Sequence, residues 1–366
     1  MSSVLSSRRS CLRLAAAAAL LAAVAPAAKA ADFAGKTIEW VIPFSVGGGS
    51  DVWARFFAPL LAEQLPGRPT VVVKNVPGGG SITGTNQFQA RARPDGLTIL
   101  GTSGSTQFPY LLDDPRVKYQ YKDWSAVLAT PTGGVVYVNP DLGVKGPGDL
   151  AKLRSHEMKY GSQGATSLDL VPLLAFEMLG LNVKPVFGMK GRGDGRLAFE
   201  RGEAAIDYQT SSAYLRNVVP LVKAGKAVPL FSWGVLDDKG AFVRDPTFPD
   251  LPHFIEFYEQ ATGAKPSGIA FQAFKAFNTA GFAVQKGVFL PKGTPADIVE
   301  TFARAFQAVV TAPGFKEKAG DEIGEYRQAT GAAAQKMINV ALDIDDDAKA
   351  WVKKWLTEKH GVKLAN

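Results

Sequence analysis

The sequence predicts an α/β protein in two lobes, each a mainly parallel sheet flanked by helices. Three observations predict it. Short apolar runs of strand type alternate with segments of helical period. Glycine- and serine-rich joints follow several of the strands, where the backbone must turn tightly or admit a ligand. The chain of 366 residues, 46% hydrophobic, is long enough for two cores.

Residues 1–30 read as a secretory signal outside that fold. Arg8, Arg9 and Arg13 make a basic start, residues 12–24 an Ala/Leu-rich centre, and Ala28-Lys29-Ala30 a cleavage pattern, placing the mature start at Ala31. Ser7-Arg8-Arg9 also resembles a twin-arginine signal, so the export route stays open. The single cysteine, Cys11, lies in this segment. The mature chain then has no disulfide and no thiolate chemistry, which fits a bacterial periplasm. The net charge is +7, and +3 once the four bases of the signal are gone. No basic stripe with interleaved aromatics suggests nucleic acid.

The first strand spans 37–43 and the first helix 51–64, where Val52, Trp53, Phe56, Phe57, Leu60 and Leu61 recur at helical spacing. Their joint is Gly47-Gly48-Gly49-Ser50-Asp51, with Ser50 or Asp51 as N-cap. A glycine turn at a helix N-terminus is either half of an anion cradle or a bare turn. A second strand over 70–73 leads through Pro77-Gly78-Gly79-Gly80-Ser81 into a helix over 83–93. Pro94-Asp95-Gly96 turns the chain into a third strand, 97–101. This βαβαβ order implies parallel pairing.

The chain is expected to cross to a second lobe just before Gly134, giving lobes of 31–133 plus 281–366 and of 134–280. Strands over 134–138, 158–160, 183–187, 205–208 and 228–232 alternate there with helices ending near 179, 201 and 224. Residues 237–280 are Pro-punctuated and are expected to be irregular, with Phe248, Phe254, Phe257, Tyr258, Phe271, Phe274 and Phe277 forming a satellite core. A strand over 281–289 returns to the first lobe. Helices over 296–311, opened by Pro295, and 332–358 complete the chain.

Catalytic signatures are missing. Gly101-Thr102-Ser103-Gly104 is one residue short of a nucleophile elbow. His156-Glu157 starts a zincin-like motif that no second histidine completes. Asp343, Asp345 and Asp347 imitate a calcium loop, but Ala348 and Lys354 occupy its glycine and glutamate positions, which leaves a solvated acidic helix face. Arg192-Gly193-Asp194 reads as a glycine turn. No metal or cofactor is expected. What remains is a set of loops rich in glycine N–H and hydroxyl groups, at 46–51, 77–83, 103–106, 162–167 and 188–194. Ligands of open parallel sheets bind beyond the carboxyl ends of the strands, so these loops describe a cleft for a small polar anion.

Six stretches in order also resemble the extracytoplasmic solute-binding receptors of tripartite tricarboxylate transporters. They are residues 40–55, 71–84, Pro94-Asp95-Gly96-Leu97-Thr98, Tyr160-Gly161-Ser162-Gln163-Gly164, 246–256 and Leu290-Pro291-Lys292-Gly293-Thr294-Pro295. The resemblance implies a two-lobed periplasmic-binding-protein fold of type II kind, hinged by crossing strands, and a monomer that is not an enzyme. It implies a small organic acid as ligand and large and small membrane subunits as partners. The shared carboxylate grip falls on Phe44, Val46, Gly47, Gly48, Ser50 and Asp51, with Gly78, Gly79, Gly80, Ser81 and Thr83. Ser103, Ser105 and Thr106 supply a third loop, and Ser162, Gln163, Thr166, Lys190 and Asp207 read the distal end. The chain departs from the family at Gly188-Met189-Lys190-Gly191, where an aromatic is usual. A sensor role for a membrane partner, or an exported enzyme acting on organic acids, stands as the alternative.

Overall fold

The computed structural model describes residues 31–237 and 240–365, so the expected signal segment and Cys11 lie outside the described residues. In chain order the elements are β1 Thr37–Ile42, α1 Gly49–Gln64, β2 Thr70–Asn75, α2 Ile82–Arg91, β3 Thr98–Ser103, α3 Gly104–Leu111, β4 Ser125–Thr130 and β5 Gly134–Val138. Then come α4 Leu150–Ser155, β6 Met158–Ser162, α5 Leu170–Met178, β7 Val183–Phe187, α6 Arg192–Glu200 and β8 Ile206–Thr210. After a helical stretch with a π turn at Tyr214–Val218 follow β9 Val228–Ser232 and the short hairpin β10 Val235–Leu236 and β11 Phe242–Val243. The chain ends with α7 Phe254–Thr262, α8 Gly268–Phe282, β12 Lys286–Leu290, α9 Ala296–Thr311, α10 Phe315–Ile323, β13 Ala329–Thr330, α11 Gly331–Ala341 and α12 Asp346–His360. No described helix is long and apolar enough to cross a membrane.

The first lobe holds a six-stranded sheet in the order β13-β4-β12-β3-β1-β2. β1 pairs in parallel with β2 and β3, whereas β12 runs antiparallel to both β3 and β4. The second lobe departs from the mainly parallel expectation. Its three-stranded sheet, β8-β5-β9, is antiparallel throughout, and only the separate pair β6-β7 is parallel. The reason is common to both lobes. β5 and β12 are the strands by which the chain arrives from the other lobe, so each enters its sheet from the cleft side and runs against its neighbours.

Each face of the six-stranded sheet carries its own core. On one, Trp40 packs edge-to-face on Trp53 and on Phe306 of α9, with centroids 5.4 and 6.1 Å apart. On the other, Phe88, Tyr121, Trp124 and Phe289 interlock. Each such ring removes enough apolar surface from water to contribute about 1.5–3 kcal/mol. Helix α1 is thus pinned by Trp53 and Phe57, and its N-terminus is held at the carboxyl end of β1.

Two expectations need correction. Residues 254–282 are not irregular: they form α7 and α8, and Phe254, Phe257, Phe274 and Phe277 belong to the main core of the second lobe, around Phe231 and Trp233. The prolines and glycines at 249, 252, 263, 266 and 268 delimit the helices instead of dissolving them. The final helix is also not continuous. It breaks after Ala341, and Asp345 accepts the Ala348 N–H at 2.8 Å as the N-cap of α12, so it is a helix cap and not part of a solvated helix face. Helix α12 leaves the first sheet altogether. Its Ala348, Val352, Trp355 and Leu356 join the second-lobe core beside α8.

Candidate functional site

The carboxyl ends of β1 and β3 and the start of β12 face the loops after β6, β7 and β8 across a narrow junction. Helix α1 begins there. Gly48 is its N-cap without a side-chain bond, which corrects the expectation of Ser50 or Asp51 in that place. Asp51 sits in the first turn, and its carboxylate accepts the Gly47 N–H at 2.9 Å, the Arg55 side chain at 2.9 Å and Asn75 Nδ2 at 3.0 Å. The acid therefore ties down the glycine turn from inside. Gly47 needs its glycine for a φ of +81°.

The two lobes touch closely here. Ser45 N–H donates to the Lys190 carbonyl at 3.2 Å, and Ser212 Oγ donates to the Gly49 carbonyl at 3.0 Å. Ser105 Oγ donates to Gln163 Oε1 at 3.3 Å and accepts the Leu168 N–H at 3.1 Å. A Cβ on Gly49 would stand 1.9 Å from Thr210 Oγ1. That distance is far inside van der Waals contact, and with the Thr210 hydroxyl rotated away Ser212 Oγ at 3.2 Å and Thr210 Cβ at 3.3 Å still crowd the added carbon. Gly49→Ala is therefore expected to hold the lobes apart while each folds normally. Small-angle scattering should show a larger radius of gyration than wild type, with unchanged circular dichroism; identical scattering would show that the junction yields.

Between these contacts lies a small cavity of about 20 Å³, the room of one water. Of the residues anticipated from sequence, Phe44, Gly48, Ser50, Ser103, Ser105 and Gln163 line it. Gly49 of the expected 46–51 loop and Arg192 of the 188–194 loop line it too, and so do Leu168, Thr210, Gln285 and Lys286, which lie outside the expected ligand loops or contacts. Gln163 Nε2, Thr210 Oγ1 and Gln285 Oε1 are buried there without a hydrogen-bond partner. Buried polar atoms are nearly always satisfied, so such a group marks a place where further polar atoms pair.

The other anticipated residues fall elsewhere. Gly79, Gln163 and Thr166 open onto an outer cavity of about 580 Å³ with Asp114, Arg116 and Phe187. Gln163 thus stands between the inner and outer spaces. Thr166 Oγ1 is bound to Asp114 at 2.9 Å. Gly78 and Gly80 shape the turn into α2 at positive φ, and Ser81 Oγ donates to the Ser105 carbonyl at 3.0 Å. Thr83 is exposed. Ser103 and Thr106 form the capping box of α3. Ser162 Oγ donates to Asp169 at 2.8 Å. Val46 is 65% exposed and does not line the inner cavity. Lys190 is exposed and contributes its carbonyl, through the bond from Ser45.

Asp207 belongs to a buried cluster behind the cavity. Arg192 lies between Asp169 and Asp207, both fully buried, and donates to the carbonyls of Gly161 and Tyr208. Its guanidinium also sits over the rings of Tyr160 and Tyr208, 5.0 and 4.6 Å from their centroids. Burial pushes the Asp207 carboxyl up, against the Arg192 charge and the Tyr137 hydroxyl. Arg192-Gly193-Asp194 is hence no glycine turn: Arg192 starts α6 and its side chain runs inward.

Lys286, the first residue of β12, is 2% exposed, and its Nζ donates to Ser50 Oγ at 3.2 Å. Desolvation pulls its pKa from 10.5 down to about 7. A lysine inside the largely apolar stretch 284–290 is the sequence signal for it. Strands buried on both faces are otherwise continuous apolar runs.

A two-lobed α/β frame with crossing strands, glycine-lined helix N-terminus and buried polar junction is that of a periplasmic solute-binding protein. The chain belongs to the family described as "Tripartite tricarboxylate transporter family receptor", matching it over residues 53–351. It is 31% identical over 315 residues to a UPF0065 protein of Bordetella pertussis, covering 84% of this chain and 86% of that one. In fold it is similar to the periplasmic binding protein BugD, with a TM-score of 0.69, 22% identity, and 90% and 99% of the two chains covered. The structure of R. palustris Rpa4515 with adipate is similar as well, at a TM-score of 0.67 and 20% identity over 90% and 99% of the chains.

Proposed function

We propose that this protein captures a small organic carboxylate between its lobes and delivers it to the large and small membrane subunits of a tripartite tricarboxylate-type transporter. The inner cavity supports the reading most directly. It joins a helix N-terminus, a buried ammonium group and unsatisfied amide and hydroxyl groups at the point where the lobes close. That combination suits a carboxylate, because free N–H groups and the helix dipole both favour negative charge. Family membership supports a transporter as partner, and a protein of the same fold is described with adipate.

A thermal-shift panel of mono-, di- and tricarboxylates and aromatic acids tests the proposal on residues 31–366. A ligand at a hundred times its Kd adds about 2.7 kcal/mol of apparent stability. At least one acid is expected to raise the melting temperature and to be recovered unchanged. If no acid does so, the carboxylate reading is wrong. If a bound acid is steadily consumed, the protein is an enzyme and not a receptor.

A further inference from the structure

We infer that Lys286 is a ligand-binding residue that pairs directly with a carboxylate when the lobes part and the inner cavity widens beyond the room of one water, and that this pairing makes capture pH-dependent. The inference rests on the carboxylate reading above and specifies the contact that reading lacks. The cleft need not rely on backbone N–H groups alone, because the chain places an amine there that is charged below about pH 7 and that a bound anion charges above it.

Four observations carry it. Lys286 is buried where strand β12 emerges into the junction, level with Ser103 on β3 and Thr130 on β4. Its Nζ reaches Ser50 Oγ in the first turn of α1, so cation and helix N-terminus address one spot. Among the described residues no carboxylate pairs with it. Finally, two donors that suit a carboxylate, Gln163 Nε2 and Thr210 Oγ1, each on a residue at most 5% exposed, line the same cavity without partners. A structural lysine would be expected to neutralise an acid or to extend its ammonium group to water. This one does neither.

The surrounding charges leave it available. Arg192, across the cavity, is already engaged by Asp169 and Asp207. Asp51, beside Ser50, is held by the Gly47 N–H, Arg55 and Asn75. The flanking positions on β3 and β4, Ser103 and Thr130, are neutral. Lys286 is thus the group that an entering anion would compensate.

The sign of the pH effect follows. In the free protein desolvation lowers the Lys286 pKa to about 7. A carboxylate beside it favours the charged form and raises that pKa. Below pH 7 the lysine is already protonated and affinity is level. Above it, each binding event must take up a proton, so affinity falls about tenfold per pH unit until the pKa of the complex is reached.

The test is calorimetric titration of wild type and Lys286→Met at pH 6, 7, 8 and 9 with formate, acetate, malate, succinate, adipate, citrate and benzoate. For the acids that bind, Kd is expected to be level from pH 6 to 7 and to rise about tenfold per unit above it. At pH 8 the wild type should take up close to one proton per ligand, read from heats in two buffers of different ionisation enthalpy. In Lys286→Met, binding should be weaker at pH 6 and independent of pH. Binding by wild type that is level from pH 6 to 9 without proton uptake overturns the role of Lys286 and leaves the receptor reading intact. So does a Lys286→Met variant that binds as wild type does. If wild type binds none of these acids even at pH 6, the carboxylate reading fails, and the pairing fails with it. The proton-uptake measurement needs only wild type, so a variant that does not fold leaves the test decisive.

Discussion

Arg192→Ala is expected to lose about 3–5 kcal/mol of unfolding free energy, the usual cost of removing one partner from a buried charge cluster. Asp169 and Asp207 have no exposure, and Arg192 is the cation between them. Without it, two buried carboxylates keep only neutral donors, from Ser162, Gln163, Tyr137 and Gln209, and the carbonyls of Gly161 and Tyr208 lose their donor. The variant should lose least in acid. Burial raises the Asp207 carboxyl even beside Arg192, and losing that charge raises it further, so the folded variant binds a proton there that the unfolded chain does not. Stability of the variant therefore falls as pH rises from about 4 through that raised value. Urea unfolding at pH 5 and pH 8 checks both points. Removing charge from both sides, as in Arg192→Leu with Asp207→Leu, should recover part of the loss, because a repacked apolar pair avoids stranding a charge. A loss below about 1 kcal/mol for Arg192→Ala at pH 8 would show that other contacts hold these loops together.

The same cluster shows what can be read from sequence and what cannot. The strand–glycine–helix joint at 44–51 is legible because both periods and the breaker residues lie close together in the chain, and Phe44, Gly48 and Ser50 do reach the cavity. The loops at 103–106 and 162–167 are legible for the same reason, although several of their hydroxyl groups serve as caps and braces for the loops themselves. Arg192 is hidden inside a tripeptide that looks like a turn. Its acids stand 23 residues before it and 15 residues after it, on different elements. Lys286 and Ser50 are 236 residues apart. Only the return of β12 into the middle of the first sheet brings them together, and no local pattern encodes that register. Helices α7 and α8 escape for a different reason. Helix α7 has nine residues between Pro252 and Gly263, and α8, fifteen residues long, opens on Pro266-Ser267-Gly268, so the dense breakers around their starts mask the helical period. The antiparallel sheet of the second lobe is likewise a consequence of a crossing strand, which alternation along the chain does not reveal.

Lys286→Met is expected to stabilise the ligand-free protein, and by an amount that depends on pH. A lysine whose pKa drops from 10.5 to about 7 on folding carries a cost of about 1.36 kcal/mol for each unit. The sign is fixed by linkage. Between pH 7 and 10.5 the unfolded chain holds a proton at this lysine that the folded chain has released, so stability rises with pH across that window. Below about pH 7 both states are charged and the full penalty of a buried ammonium group is present. Methionine has nearly the same shape and no charge, so at pH 6 it should gain about 3–5 kcal/mol, allowing for loss of the Ser50 bond. By pH 10 the gain should shrink toward the small difference in packing. Denaturant unfolding of both proteins at pH 6 and pH 10 measures it. Equal stabilities at pH 6 would mean that water reaches the ammonium group and the site is not dry. A gain at pH 6 together with weakened capture of an acid would show why the chain keeps so costly a residue. Substitutions that stabilise a fold while impairing it commonly fall on functional groups held in strained surroundings, and an ammonium group stranded beside a helix N-terminus is such a group until an anion arrives.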